Sequence, residues 1–284
     1  MHTLFNISTT ILLIPFGNYL AKLATKILPE KEEEKEHHKH LKYIKSVDTR
    51  VDATFGTSAI NLQNLRNEIQ RMLEMARVNV EESFDAFLAG SSRFLGDVDK
   101  REDYIDYLNK EISRAAAKMM AHEANVKASK NIGSYLDMTS NIERIGDHAE
   151  NFADYTKTEL KHNTGLTGDA KEEIKKMYEA VSKLLKLSLE SFMAQDGVNT
   201  QEDKLAEIAA LEASIDKMER RYQKHHIKRL AKGDCEPRAG LLFSDMLSEL
   251  ERIADHSVNI AYSMSDEDED EMLAAENEAL ATNN

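Results

Sequence analysis

The 284-residue chain has a single cysteine, no tryptophan, three prolines and eleven glycines. Because Cys235 stands alone, a disulfide within the chain is excluded, and such cysteine usage is typical of a reducing compartment. Runs of alternating β-branched residues are also missing, which argues against a sheet. Ala, Leu, Met, Glu and Lys dominate instead. These residues favour helices, so the composition predicts an all-α fold.

Positive charge is scarce as well. Lys and Arg number 37 against 51 Asp and Glu, which gives a net charge of −14 and a pI near 5.2. Surfaces that bind nucleic acid are basic, so this balance argues against a nucleic-acid partner. The acidic excess is densest in residues 265–284, which we predict to be a disordered tail that keeps the chain soluble or binds a basic partner.

Long apolar runs are absent except at residues 4–28. A spanning helix needs roughly 20 mostly apolar residues, and this segment has the length but contains Asn, Thr and a break at Pro15 and Gly17. Such features are tolerated where neighbouring protein surrounds the helix. We therefore predict a membrane-associated N-terminal helix at residues 1–28, followed by a charged linker at 29–57. The alternative is an amphipathic or core helix.

One motif occurs twice in the chain. Residues 143–148 read Glu-Arg-Ile-Gly-Asp-His, and residues 251–256 read Glu-Arg-Ile-Ala-Asp-His. Further identities flank both copies at the same offset, which indicates an internal repeat. In a helix, Glu and Asp four residues apart leave the same face, where like charges destabilise the helix by roughly 0.2–0.5 kcal/mol. We predict that each copy pairs its carboxylates with a cation; the alternative is a solvated charged face.

Other residues of the motif take different directions in this prediction. Asn151 and Asn259 continue the carboxylate stripe one turn later, whereas His148 and His256 point elsewhere and are not first-choice ligands.

The same Glu-x-x-x-Asp spacing occurs earlier in each half of the chain, at residues 102–106 and 212–216. Four carboxylates that converge between two helices repel unless they are neutralised or protonated. Such sites suit Mg, Mn, Ca or Fe, and Zn stays open.

Apolar residues recur at helical spacing in six long segments, and glycines separate most of them. The predicted helices cover residues 58–89, 98–130, 133–161, 169–195, 201–232 and 236–264. Residues 68–74 and 173–179 also match each other, so the first and fourth helices belong to the repeat. The sequence thus predicts two tandem three-helix bundles, at residues 58–165 and 166–264.

Paired bundles with these motifs resemble the PhoU family of phosphate-uptake regulators over about residues 40–264. The resemblance implies clusters of divalent or trivalent metal ions, with Fe, Zn, Mn and Mg as candidates. The implied metal ligands are Glu102, Asp106, Glu143, Asp147, Glu212, Asp216, Glu251 and Asp255. Gly146 is replaced by Ala254 in the second copy, which still leaves a small residue there.

The first residues carry a second resemblance. His-Thr-Leu-Phe-Asn at residues 2–6, followed by Ile-Leu-Leu-Ile-Pro-Phe-Gly, is similar to the last membrane segment of bacterial Na/phosphate cotransporters. The Gln-Ser-Ser repeats that bind substrate in that family are absent, so the chain forms no transport path by itself. This resemblance implies a place at the cell inner membrane, with cytoplasmic bundles and a transporter membrane domain as partner. Whether the chain also forms a homo-oligomer stays open.

Two classes of function follow. The first is a metal-binding regulatory domain of Na-dependent phosphate transport, with a free cytosolic phosphate-uptake regulator as its alternative. The second is an enzyme with a carboxylate-bridged metal centre. Di-iron enzymes of the ferritin type need Glu-x-x-His within two helices, and among the predicted helices it occurs once, at residues 159–162 at a helix end. No phosphate-binding glycine loop or nucleophile motif is present, so the sequence favours a protein that is not an enzyme.

Overall fold

The computed structural model of the chain describes residues 39–44, 57–123, 125–162, 165–193 and 198–263. These residues form the helices α1 (Thr57–Ala89), α2 (Leu95–His122), α3 (Val126–His162), α4 (Gly168–Met193), α5 (Val198–Lys232) and α6 (Pro237–Tyr262). No strand occurs in the ranges just given, and the all-α prediction is confirmed. Residues 1–38 and 264–284, which include the predicted membrane helix and the acidic tail, lie outside them.

The helices pack in two sets of three. Helices α1, α2 and α3 contact one another, as do α4, α5 and α6. The apolar stripes supply the cores: Ile69 and Met72 in α1 and Ile174 and Met177 in α4 are fully buried. Each large aliphatic side chain buried in this way stabilises the fold by roughly 1.5–3 kcal/mol. The stripes therefore both fix the faces of the helices and supply most of the driving force for folding.

Among the described helices, the main contacts between the sets are those of α3 with α6 and of α1 with α4. At the second contact the ring of Phe84 stacks on Tyr178 with their centroids 3.5 Å apart, and Phe152 lies 5.8 Å from Phe84. Aromatic pairs contribute about 0.5–1.5 kcal/mol beyond the area that they bury. The helices that carry the repeated motif, α3 and α6, thus contact both their own set and the other set.

Glycines end two of the helices through a left-handed residue. Gly90 has a φ of 58° and follows α1, and Gly233 has a φ of 77° and follows α5. At each end the next residue donates its backbone N–H to a carbonyl five residues back, 3.0 Å away, as in Schellman caps. An L side chain would be strained at either position, so the glycines stop these helices at defined residues.

The boundary between the second and third helices differs from the prediction. We predicted helices at 98–130 and 133–161 with Gly133 at the junction, but α2 ends at His122 and α3 begins at Val126. Asn125 caps α3, since its Oδ1 accepts the backbone N–H of Ala128 at 3.1 Å. Gly133 lies inside α3, and a Cβ added there would meet no neighbouring group within 4 Å. The N-cap asparagine was the better boundary signal.

Within the described part of the chain, no helix combines the length and the apolar content that crossing a membrane requires.

Candidate metal sites

The first acidic cluster lies between α2 and α3. Glu102 and Asp106 are one turn apart on α2, and Asp147 faces them from α3. One carboxylate oxygen from each of the three lies within 4.8 Å of the others. Three anionic oxygens this close repel one another strongly in the partly dry space between helices, unless a proton or a cation intervenes.

Glu102 is the most buried member of this first cluster, with 4% of its surface exposed. Its Oε1 is buried and accepts no hydrogen bond among the described residues, while its Oε2 accepts one from Asn79 Nδ2 at 3.4 Å. Its carboxylate lies directly against the backbone of α3 at Gly146, where a Cβ would come within 2.9 Å of Glu102 Cδ. A glycine at position 146 is therefore what allows this carboxylate to enter the space between the helices.

Polar side chains of α1 and α2 hold Glu102 in place. Asn79 is fully buried, and its Oδ1 accepts a hydrogen bond from Arg101 Nη1 at 2.6 Å. Arg101 in turn forms an ion pair with Glu82 at 2.9 Å. Outer groups of this kind orient ligands and are typical of metal sites. Sequence reasoning missed Asn79 because a lone asparagine in an amphipathic helix carries no distinctive signal.

The pKa values show how unfavourable the first cluster is without a cation. Burial, followed by the negative charges of Asp147 and other nearby carboxylates, raises the pKa of Glu102 to about 8. Burial also raises the pKa of Asp147, with Asp106 adding to the effect. In metal-free protein at neutral pH, Glu102 therefore carries a proton; a bound cation would favour the ionised form instead.

Glu143 and Glu150 lie beside this triad. Glu143 is outside the set of close oxygens, but burial and the charges of Asp147 and Asp106 raise its pKa. Glu150 lies one turn beyond Asp147, and its charge is the second largest carboxylate influence on Glu102 after Asp147. The spacing 143, 147 and 150 follows one helical face, so helical periodicity could have added Glu150 to the predicted set.

The second acidic cluster has the corresponding members. Glu212 and Asp216 on α5 and Asp255 on α6 bring one carboxylate oxygen each within 4.8 Å of one another. All three are only half-buried. Arg220 forms an ion pair with Asp216 at 2.6 Å. Glu251 stays outside this triad, and burial, with help from Asp255, raises its pKa to about 7.

The two motif histidines occupy the contact between α3 and α6. His148 Nδ1 lies 2.6 Å from Glu249 Oε2, and His256 Nδ1 lies 2.9 Å from Asn141 Oδ1. The two rings stack with their centroids 5.5 Å apart. Asn141 and Glu249 are equivalent positions of the repeat, so the two contacts are the same contact made twice, once with an amide and once with a carboxylate.

The motif asparagines also lie at this contact, contrary to the prediction. Asn151 Nδ2 donates to Glu249 Oε2 at 3.5 Å, and Asn259 Nδ2 donates to Asn141 Oδ1 at 3.3 Å. We expected Asn151 and Asn259 to extend the carboxylate stripe. Each step of four residues turns the side chain by about 40° round the helix, so the two steps from Glu143 to Asn151 or from Glu251 to Asn259 turn it by about 80°, away from the cluster and toward the opposite bundle.

Comparison with protein families agrees with this architecture. The model of the PhoU domain matches the chain twice, at residues 69–156 and 174–264. The two matches cover more than half of the chain, one in each set of three helices. The chain belongs to the PhoU family. The resemblance seen in the repeated motif is thereby confirmed.

Two PhoU relatives align with most of the chain. A phosphate-specific transport system accessory protein PhoU homolog 1 of Thermotoga maritima is 22% identical over 197 residues, which are 69% of this chain and 82% of the relative. The corresponding PhoU homolog of Clostridium acetobutylicum is 24% identical over 205 residues, 72% of this chain and 90% of the relative.

Solved PhoU structures have the same fold. PhoU from Pseudomonas aeruginosa superposes with a TM-score of 0.65 at 20% identity, covering 72% of this chain and 95% of the other. The phosphate transport system regulatory protein PhoU from Streptococcus pneumoniae superposes with a TM-score of 0.64 at 20% identity, covering 74% of this chain and 98% of the other. At this identity the likeness establishes the fold alone.

The predicted location of the chain at the inner membrane is wrong. It depended on residues 4–28, which lie outside the described residues and outside both PhoU matches. Three of the proteins that the chain matches, along 82–98% of their own length, are named accessory or regulatory proteins of phosphate transport. The resemblance of the first residues to a cotransporter therefore does not set the location of the whole protein.

The first cluster fits a hard cation. It offers three convergent carboxylates, one of them with a buried oxygen that accepts no hydrogen bond from the described residues. Carboxylate oxygens are the donors that Mg, Mn, Ca and Fe take. Burying a carboxylate oxygen without a partner is unfavourable, and a cation coordinated there would satisfy it.

Proposed function

We propose that this PhoU-family chain is a regulatory accessory protein of phosphate transport whose two acidic clusters bind metal ions. The family match in both bundles supports the regulatory part, since the relatives are named accessory proteins of a phosphate-specific transport system. The metal-binding part of the proposal rests on the two carboxylate triads at corresponding places in the bundles. In the first triad, Oε1 of Glu102 is buried and accepts no hydrogen bond from the described residues.

In this proposal, the clusters set how firmly the helices of each bundle hold together. Glu102 and Asp106 come from α2, whereas Asp147 comes from α3. A bound cation would supply the positive charge that lets these three carboxylates be ionised side by side. Because α3 and α6 also contact each other through His148 and His256, each cluster lies on a helix that touches the other bundle.

The proposed partner is a component of a phosphate transport system, and the protein acts on it by contact rather than by catalysis. Coupling to a Na-dependent transporter remains a prediction from residues 2–17. The enzyme alternative needs a substrate pocket beside the metal ligands. Its test is turnover of phosphate esters by metal-loaded protein, which this proposal expects to be absent.

The regulatory role is tested by phosphate uptake in cells. Deleting the gene should change the rate of radiolabelled phosphate uptake under phosphate-replete growth, and the wild-type gene should restore it. A Glu102→Gln/Asp147→Asn gene should restore it poorly, because two of the three carboxylates of the first triad are replaced by amides. The matched control is Glu172→Gln/Glu179→Gln, which removes two exposed carboxylates on α4. Uptake that is identical in all strains would refute the regulatory role.

A further inference from the structure

The C-terminal half of α5 is strongly basic in an otherwise acidic chain. Residues 217–232 contain one acidic residue, Glu219, and the following basic residues: Lys217, Arg220, Arg221, Lys224, Lys228, Arg229 and Lys232. The corresponding stretch of α2, residues 107–122, has only Lys110, Arg114 and Lys118 as Lys or Arg. Arg220 and Arg229 form ion pairs with Asp216 and Glu173, whereas the exposed Lys224 and Lys228 add positive charge that attracts an anionic partner.

Apolar side chains are exposed within this basic surface. Ile227 is 63% exposed and stands between Lys224 and Lys228, which are exposed too, while Leu241 at the start of α6 is 66% exposed. Lys224 and Lys228 form no ion pair with the carboxylates of the described residues. We call the surface formed by residues 217–228 of α5 the basic face. It fits a segment that carries acidic residues followed by apolar ones.

The chain itself contains such a segment. Residues 266–273 read Asp-Glu-Asp-Glu-Asp-Glu-Met-Leu, and they follow shortly after α6. Helix α6 ends next to the beginning of α5, since Tyr262 Oη donates to the carbonyl of Leu205 at 3.4 Å. The chain therefore leaves α6 beside the N-terminal part of α5, and the basic face lies further along α5 toward its C-terminal end.

Residues 266–273 are long enough to reach the basic face of the same molecule. With a helical rise of about 1.5 Å per residue, Lys217, Lys224 and Ile227 lie about 18, 28 and 33 Å along α5 from Leu205. An extended chain spans about 3.4 Å per residue, so it places residues 266 to 271 about 10–27 Å from Ser263. The same spacing puts residues 272 and 273 about 31–34 Å away. Acidic residues thus reach the lysines, and Met272 and Leu273 reach Ile227.

We propose that residues 266–273 bind along the basic face of α5 in the same molecule, with the acidic run beside Lys217–Lys224 and the apolar pair beside Ile227. An attached segment has an effective concentration on the order of 1 mM. A contact with a dissociation constant on the order of 0.1 mM would then be occupied about nine-tenths of the time. The same face would become available to another acidic partner only when the segment leaves it.

Lysine reactivity in the full chain tests this binding. Acylation of Lys224 and Lys228, followed by mass spectrometry, should be about tenfold slower in the full chain than in a chain that ends at residue 263, given the occupancy above. High salt should remove the difference, because it screens exposed charges. Lys118 on α2 corresponds to Lys228 in the repeat and should react equally in both chains. Equal reactivity of Lys224 and Lys228 with and without the segment would overturn the proposal.

Carbodiimide crosslinking identifies the occupant. Amide links between Lys224 or Lys228 and residues 266–271 should form within single molecules, and Lys224→Glu/Lys228→Glu should abolish them. The matched control, Arg114→Glu/Lys118→Glu, changes the corresponding positions of α2 and should leave the links intact. Links found only between two molecules would instead assign the basic face to a second copy. Protection of the lysines that appears only on adding anionic lipid vesicles or an acidic protein would likewise contradict the proposal.

Discussion

The two acidic clusters are built from the same repeat, yet they differ in depth. Glu102 is buried against Gly146 in the first, whereas its counterpart Glu212 is half-buried in the second, where the glycine is Ala254. The methyl group of an alanine fills the space that Glu102 occupies. The replacement thus removes room for the carboxylate, and it is not the neutral change that residue size alone suggested.

The support of the carboxylates differs as well. Asn79 donates to Glu102, but the position that corresponds to it in α4 is Leu184, which is buried and has no donor. Bundle one therefore has one oriented, buried carboxylate beside the half-buried Asp106 and the exposed Asp147, whereas bundle two has three half-buried carboxylates with Arg220 on Asp216. Since electrostatic interactions are stronger where water is excluded, we expect the buried Glu102 to let the first cluster hold a cation more tightly.

The largest effect is expected from Gly146→Ala. The new Cβ would overlap the carboxylate of Glu102, so we expect the free energy of unfolding to be roughly 1–3 kcal/mol lower than in Gly133→Ala, the range for overpacked cores. Gly133→Ala is the matched control, since Gly133 is also inside α3 but has open space, and helix propensity predicts a gain of about 1 kcal/mol. Urea denaturation measures both. If both variants gain stability equally, Gly146 does not make room for Glu102.

Removing the support of the first cluster should weaken its metal binding. Asn79→Leu gives bundle one the residue that bundle two has, and we expect the affinity of the first cluster to fall about 10-fold or more, as for other outer-group losses. The measurement is metal titration by calorimetry in an Asp255→Asn background, which disables the second cluster. An unchanged affinity would mean that Asn79 only fills space.

The pH dependence of stability should separate the clusters in chelator-treated protein. The folded pKa of Glu102, about 8, exceeds the ordinary value near 4.3, so between them the folded chain holds a proton that the unfolded chain releases. Stability therefore falls as pH rises through this window, by at most about 1.4 kcal/mol per pH unit, and levels off above pH 8. Glu102→Gln should reduce the loss of stability with rising pH up to pH 8. Glu251→Gln should reduce it only up to about pH 7, the folded pKa of Glu251. A flat wild-type profile would contradict both pKa shifts.

The smallest effect is expected at the contact between α3 and α6. Glu249→Gln replaces the carboxylate beside His148 with an amide, which makes this half resemble the His256 and Asn141 half. Hydrogen bonds to charged groups exceed neutral ones by roughly 1 kcal/mol, so a loss of about 1 kcal/mol in unfolding free energy is expected. Asn141→Ala at the equivalent position is the comparison, and a larger loss there would reverse the ranking of the two halves.

Much of this arrangement is visible in the sequence because it follows from local periodicity. Apolar residues at spacings of three and four place Ile69, Met72 and Ile174 on buried faces. The Glu-x-x-x-Asp repeat identifies the carboxylates that meet between helices, because residues four apart share a helical face. Both signals depend only on helix geometry, which a single sequence contains.

The remaining features depend on which helices approach each other and how closely. Gly146 looks like an ordinary helical glycine, and only the position of Glu102 shows why it is needed. Asn79, distant in sequence, reaches the same carboxylate from α1. Glu143 lies outside the close triad, and helical spacing alone cannot tell which carboxylates of α3 meet those of α2.

The metal content of purified protein tests the central claim most directly. Wild type, Asp147→Ala, Asp255→Ala and the double variant are grown with ample metal, purified without chelator, dialysed and subjected to elemental analysis. We expect wild type and Asp255→Ala to retain metal through dialysis, because the buried carboxylate of Glu102 keeps both of its partners, and Asp147→Ala to lose most of it. Equal, near-zero metal in wild type and the double variant would contradict metal binding, and retention in Asp147→Ala alone would reverse the ranking of the clusters.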